Sequence, residues 1–134
     1  MSLEYPEDLK YLDSHEYVRL QDDDIATIGL SAFALEELGD VVFLELPELG
    51  DAIALGDNIG TVESVKAVSE IYAPVSGTVV DRNEMVIDEP ESIVDDPYGE
   101  GWLIKVRLDD PSDSLEDALS AEEYRSLVEP EVEL

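Results

Sequence analysis

The feature that most constrains how this chain folds is its punctuation. Short β-prone runs are broken by turn chemistry roughly every ten residues. Residues 15–20, 25–30, 41–46, 58–65, 67–72, 75–81 and 102–108 are rich in Val, Ile, Tyr, Phe and Thr. Pro47, Leu49-Gly50-Asp51, Gly56-Asp57, Ala73-Pro74 and Ser76-Gly77 separate several of them, and Asp22-Asp23-Asp24 makes a polar turn. Segments this short bury their apolar faces only by pairing, so the pattern predicts a small barrel or sandwich. Gly77, inside such a run, predicts a close approach or a bulge.

Helical signals are few. Ser31 suits the N-cap of a helix over 32–38, Gly39 suits its C-terminal stop, and Phe33, Leu35 and Leu38 give it an apolar side. Residues 83–88 read as one helical turn. After Pro111 the apolar period changes: Leu115, Ala118 and Leu119, then Tyr124, Leu127 and Val128, recur at helical spacing. Ser120 and Glu123 have capping-box spacing for the last helix. Residues 1–14, with Pro6, read as an irregular surface segment laid over the core.

A chain of 134 residues is one domain that needs no metal or disulfide staple. The absence of cysteine excludes disulfides, thiolate metal sites and a cysteine nucleophile. Nothing resembles a leader or a membrane-spanning run, so a soluble, cytoplasmic protein without a membrane partner is expected. The net charge of −28 removes nucleic acid as a partner, because no basic stripe is present to meet phosphates. Apolar periodicity persists under that charge, which points to a folded protein coated in carboxylates and adapted to concentrated salt.

Against 35 Asp and Glu, Lys66 is one of three lysines, and it falls where two β-prone runs meet. That places its amine at a hairpin tip, a site suited to covalent attachment. Glu63-Ser64-Val65-Lys66-Ala67, followed by Ile71-Tyr72-Ala73-Pro74-Val75-Ser76-Gly77, resembles the lipoate-attachment segment of the glycine cleavage system H-protein family. Further segments match in order along the chain. They are Leu9-Lys10-Tyr11, Ser14-His15-Glu16-Tyr17 (with Tyr17 where a tryptophan is common), Thr27-Ile28-Gly29-Leu30, Leu38-Gly39-Asp40-Val41-Val42-Phe43, Leu46-Pro47, Pro97-Tyr98 and Gly101-Trp102-Leu103-Ile104-Lys105-Val106.

The resemblance implies a mainly β fold, a hybrid barrel-sandwich of the lipoyl/biotinyl carrier type with one short internal helix and C-terminal helices. It implies a single domain over 1–134 with a lipoyl-binding core over 25–107. Lys66 would carry lipoate as a covalent amide, recognised through Glu63, Ser64, Val65 and Ala67. The arm would take a methylamine group from the glycine decarboxylase (P protein) to the aminomethyltransferase (T protein). The dihydrolipoyl dehydrogenase (L protein) would reoxidise it, and a lipoate ligase or lipoyltransferase would install it. Ser14, Glu16, Glu37 and Glu70 match the region where the loaded arm docks. Glu16 is the first choice to hold the protonated amine, since a carboxylate in a partly dry cleft makes a charge-assisted hydrogen bond. Glu37 and Glu70 stand where the family varies.

No catalytic residue is expected: no nucleophile–base pair or phosphate-cradling loop argues for an independent hydrolase or transferase. Asp22–Asp24 lacks the rest of a calcium loop, so no metal is expected. His15 reads as a surface or half-buried histidine bonded to a backbone group, and Trp102 reads as core. The nearest rival function is a lipoate-storage or lipoate-relay protein of the same fold. A biotin carrier would bracket its lysine with methionines, where this chain has Val65 and Ala67.

The charge generates a test. At about 0.01 M ionic strength the screening length is about 30 Å and every carboxylate feels most others; at about 1 M it is about 3 Å. The melting temperature is expected to rise with added KCl, most steeply at the low end. A flat melting curve across that range would show that net charge does not set the stability.

Overall fold

The computed structural model describes residue 6 and residues 9–12, 15–21, 24–109 and 118–128. Nine strands are present among them: β1 (Lys10–Tyr11), β2 (Glu16–Gln21), β3 (Ile25–Leu30), β4 (Val41–Glu45), β5 (Ala52–Ile53), β6 (Asn58–Ser64), β7 (Val68–Tyr72), β8 (Gly77–Arg82) and β9 (Ile104–Leu108). Helices α1 (Ala32–Leu38), α2 (Glu84–Asp88) and α3 (Ala121–Val128) join them, with a 3-10 helix over Pro90–Val94. The strands form a six-stranded sheet in the order β1-β2-β3-β9-β8-β5 and a three-stranded sheet in the order β4-β6-β7. Every pairing is antiparallel. The architecture is the expected barrel-sandwich.

The two sheets share one apolar core. Leu44, Val62 and Ile71 of the small sheet and Val18, Ala26, Ile28, Val79, Ile104 and Val106 of the large one are all buried within it. Strand β3 sits centrally between β2 and β9, and Ala26 to Leu30 are all buried, so both of its faces are covered. Tyr17 covers part of the second face. Tyr17 lies opposite Gly29, and a Cβ at Gly29 would come within 2.5 Å of the Tyr17 ring. The Tyr17 hydroxyl donates to the Pro97 carbonyl at 2.7 Å. Burial without full compensation pushes that phenol well above its ordinary pKa.

Leu9, Tyr11, Tyr17, Ala121 and Tyr124 form a second core, which refines the reading of residues 1–14. The described part of that segment is not irregular throughout, since Lys10–Tyr11 is a strand, and Leu9 and Tyr11 are buried rather than at the surface. Tyr11 stacks on Tyr124 with ring centroids 4.8 Å apart and planes 8° from parallel, and Tyr11 and Leu119 exchange both backbone hydrogen bonds. Leu119 is therefore extended, not helical. The bridge to Tyr11 satisfies its backbone before α3 begins. Leu115, Asp22, Asp23 and Ser14 lie outside the described residues.

The caps follow the sequence. The Ser31 side chain accepts from Ala34 N at the start of α1, and Gly39 closes it at φ 81°. Ser120 N donates to Glu123 and Glu123 N donates to Ser120 Oγ, so both halves of the capping box ahead of α3 are made. Trp102 is a second correction. It is half-buried, with Lys105 Nζ 5.0 Å above its ring, because an indole at the sheet margin covers a cation without leaving water.

Gly77 opens β8 against Leu108, while the register shift of that pair lies further on, between Val79 and Asp81. The glycine therefore serves close approach: a Cβ there would run into the Arg107 carbonyl oxygen. Gly77→Ala is expected to cost about 3 kcal/mol through backbone displacement, read as a lowered midpoint in urea unfolding with an unchanged slope.

Candidate functional site

Strands β6 and β7 pair from Asn58↔Tyr72 up to Glu63↔Val68, and the four residues Ser64 to Ala67 turn between them. Ser64 organises that turn. Its backbone N donates to the Ala67 carbonyl at 2.7 Å. Its Oγ accepts from Ala67 N at 3.0 Å and from Lys66 N at 3.3 Å, and lies 3.2 Å from the Ala67 carbonyl. Ser64 is buried while Val65, Lys66 and Ala67 are exposed. The tip is also anchored from outside, since Val65 N donates to the Asp40 carbonyl at 3.1 Å.

Helix α1 ends beneath the lysine. A Cβ at Gly39 would sit 3.5 Å from Lys66 Cε, so the glycine leaves room for the lysine stem to lie over the end of the helix. Lys10 lies on β1 and Lys105 on β9. Lys66 is thus the lysine presented on a turn. Among its expected recognition neighbours, Val65 and Ala67 flank it on the exposed tip, Ser64 holds the turn from inside, and Glu63 is half-buried on β6.

Beside the turn, a groove of about 350 Å³ separates the edge strand β7 from α1. Leu30, Phe33, Leu38 and Val62 give it an apolar lining, and His15, Glu37 and Glu70 add polar groups. Two of the carboxylates matched to arm docking, Glu37 and Glu70, therefore face one groove. Glu70 accepts from the Tyr72 hydroxyl at 2.6 Å, and that bond raises the phenol's pKa.

Glu16 sits elsewhere. It is fully buried, its Oε2 accepts from Tyr72 N at 3.0 Å, and it is absent from the groove lining. This carboxylate, expected in a partly dry cleft, joins β2 to the edge of β7 through that backbone amide. A wider hollow of about 640 Å³ lies at the opposite end of β4 and β6, among Glu45, Glu48, Asp51 and Asp57. It is remote from Lys66 and presents no amine.

His15 is the groove residue that the sequence undervalued. Its Nδ1 lies 2.7 Å from the Tyr124 hydroxyl, which lies 2.7 Å from Ser31 Oγ, the N-cap of α1. The expected partner was a backbone group; the partner found is a side chain 109 residues away in sequence. No local pattern announces such a pairing. Burial holds the Tyr124 phenol above its ordinary pKa, so it bridges as a neutral hydroxyl.

A family model for the glycine cleavage H-protein matches residues 9–131. The chain belongs to this family. Among curated relatives, the glycine cleavage system H protein of Cyanothece sp. is 66% identical over 129 residues, covering 96% of this chain and 98% of that one. The H protein of Crocosphaera subtropica is 63% identical over 131 residues, covering 98% of each. Among solved structures, the glycine cleavage system H protein of Mycobacterium marinum superposes with a TM-score of 0.84 at 37% identity, covering 91% of this chain and 97% of that one. Family membership and the shared fold thus rest on nearly the whole length.

The turn itself is testable. Ser64→Ala removes an acceptor from two turn amides and is expected to destabilise by about 1–2 kcal/mol. Amide exchange at Lys66 and Ala67 is expected to accelerate more than exchange in β8 or β9. Uniform acceleration across the sheets would show that Ser64 acts on the whole fold rather than on the tip.

Proposed function

We propose that Lys66 carries lipoate as an amide and that this chain is the methylamine carrier between the glycine decarboxylase and the aminomethyltransferase. As a family member the chain is a carrier in the glycine cleavage system. The observation that supports the assignment to Lys66 is the exposed amine on a serine-braced turn, beside a groove with an apolar lining.

The residues present fit the group. An alkyl arm leaving Nζ would find Leu30, Phe33 and Val62 as apolar surface, while Glu37 and Glu70 supply anions for a protonated amine. When bound, the lipoyl group supplies a dithiolane that can be reduced, alkylated and reoxidised. Acylation turns the Lys66 ammonium into a neutral amide, so the chain's own contribution is position and shelter, with no acid or base of its own taking part. In this reading Glu16 acts at one remove, by holding Tyr72 and with it the groove's β7 wall. Ser14 keeps its place among the matched docking residues.

Residues 25–107 form the lipoyl-binding core of one domain over 1–134. The partners are the P, T and L proteins and a lipoate ligase or lipoyltransferase, and the chain works in the cytoplasm without catalysing a reaction itself. Among the described residues no helix is long and apolar enough to cross a membrane.

Intact-mass measurement with peptide mapping is expected to find one lipoyl group, on Lys66, and none on Lys10 or Lys105. Lys66→Arg is expected to abolish loading with an unchanged melting temperature, since arginine keeps the charge but is not acylated. Loading of the lipoylated chain with methylamine by the decarboxylase supports the carrier role; lipoylation without such loading would support the storage or relay role instead.

A further inference from the structure

We propose that the outer face of β4, β6 and β7 beside Lys66 is the docking surface for the enzyme that acylates this lysine, and that the enzyme meets it with an apolar mouth rimmed by Arg and Lys. The inference rests on the reading of Lys66 as the attachment site.

The face is built by a bulge. The register between β4 and β6 shifts between Val41 and Phe43, which turns two consecutive apolar side chains outward: Val42 is 54% exposed and Phe43 48%. Regular pleating would have sent one of the two inward. Phe43 lies opposite Glu63, and Glu63 opposite Val68, so an apolar–acidic–apolar row crosses all three strands. Val68, which also borders the groove, is 65% exposed, and Val65, on the adjoining turn, 73%. An apolar group of this kind, set around an amine in a chain otherwise coated with carboxylates, marks a contact surface.

Charge selects the occupant. Glu63 lies within the row, and the next row holds Glu45 and Glu70 on either side of Thr61. A second copy of this chain would bring a net charge of −28 against the same sign, so self-association is disfavoured and a cationic rim is complementary. Location selects among enzymes. One that acts on the arm's far end can meet it beyond the hairpin, whereas the acylating enzyme must close on Nζ itself. There the neutral Lys66 amine attacks the carboxyl of a lipoyl adenylate and the N–C bond forms. AMP leaves with the electron pair of the broken C–O bond, and the nitrogen sheds a proton.

The test is the acylation rate of the purified full chain by a lipoate ligase with lipoate and ATP, followed by intact mass. The double variant Val42→Thr, Phe43→Thr places a strand-favouring residue at both positions. It is expected to lower kcat/KM roughly tenfold or more, through KM for the protein substrate. Should its melting temperature fall, Val65→Thr carries the same test at an exposed site outside the groove. Leu55→Thr, on an exposed leucine (55%) near the other end of β6, is expected to leave the rate unchanged. Raising salt is expected to lower kcat/KM of the unaltered chain. An unchanged rate in a folded patch variant, an equal loss in Leu55→Thr, or a rate indifferent to salt overturns the proposal. An unaltered chain that gains no lipoyl mass on Lys66 overturns the attachment reading instead.

Discussion

Packing of the three-stranded sheet onto the six-stranded sheet is the interaction on which the rest of this molecule depends. A two-stranded hairpin alone is marginally stable at best in water, and the β6–β7 hairpin has no reason to hold Lys66 in one place unless its inner face is buried. Leu44, Val62 and Ile71 supply that face, each at most 2% exposed. Burying an aliphatic side chain of this size contributes about 1.5–3 kcal/mol, enough to make the small sheet an obligatory part of the fold. Glu16 adds a directional restraint at the edge, where its carboxylate accepts from Tyr72 N. Hydrophobic contact is non-directional; that hydrogen bond helps fix where the edge of β7 stops.

The same packing creates the groove. Among the described residues strand β7 pairs on one side only, with β6, and an unpaired edge ordinarily invites association. Here α1 lies across the gap, and the charges of Glu37 and Glu70 border it. Aggregation through that edge is opposed by like charge, while a tethered alkyl chain is admitted by the apolar lining. One arrangement thus meets a folding liability and offers a docking place.

The tyrosine cluster joins distant parts of the chain to this region. Tyr124 on α3 reaches both His15 in the groove wall and Ser31 at the start of α1. The C-terminal helix therefore helps set the position of the groove's polar wall without touching the lysine. A buried polar network of this kind, with its members bonded, specifies one arrangement of its elements.

Local chemistry alone determined much of this protein. The bounds of β3 and α1, the Ser31 and Gly39 caps, the capping box at Ser120 and Glu123, and the hairpin with Lys66 at its tip all follow from residues close together in the chain. Their signals are short-range: turn preference, capping and side-chain period. The tertiary structure decided what depends on partners far apart. It buried Leu9 and Tyr11 against α3, drew Leu119 into an extended bridge, left Trp102 half-exposed over Lys105, and gave His15 a tyrosine from the other end of the chain. It also took Glu16 out of the groove and kept Glu37 and Glu70 in it. A carboxylate reads the same in sequence whether it faces water, a ligand or a backbone amide; burial and hydrogen-bond partners distinguish these cases, and both are set only when the sheets close.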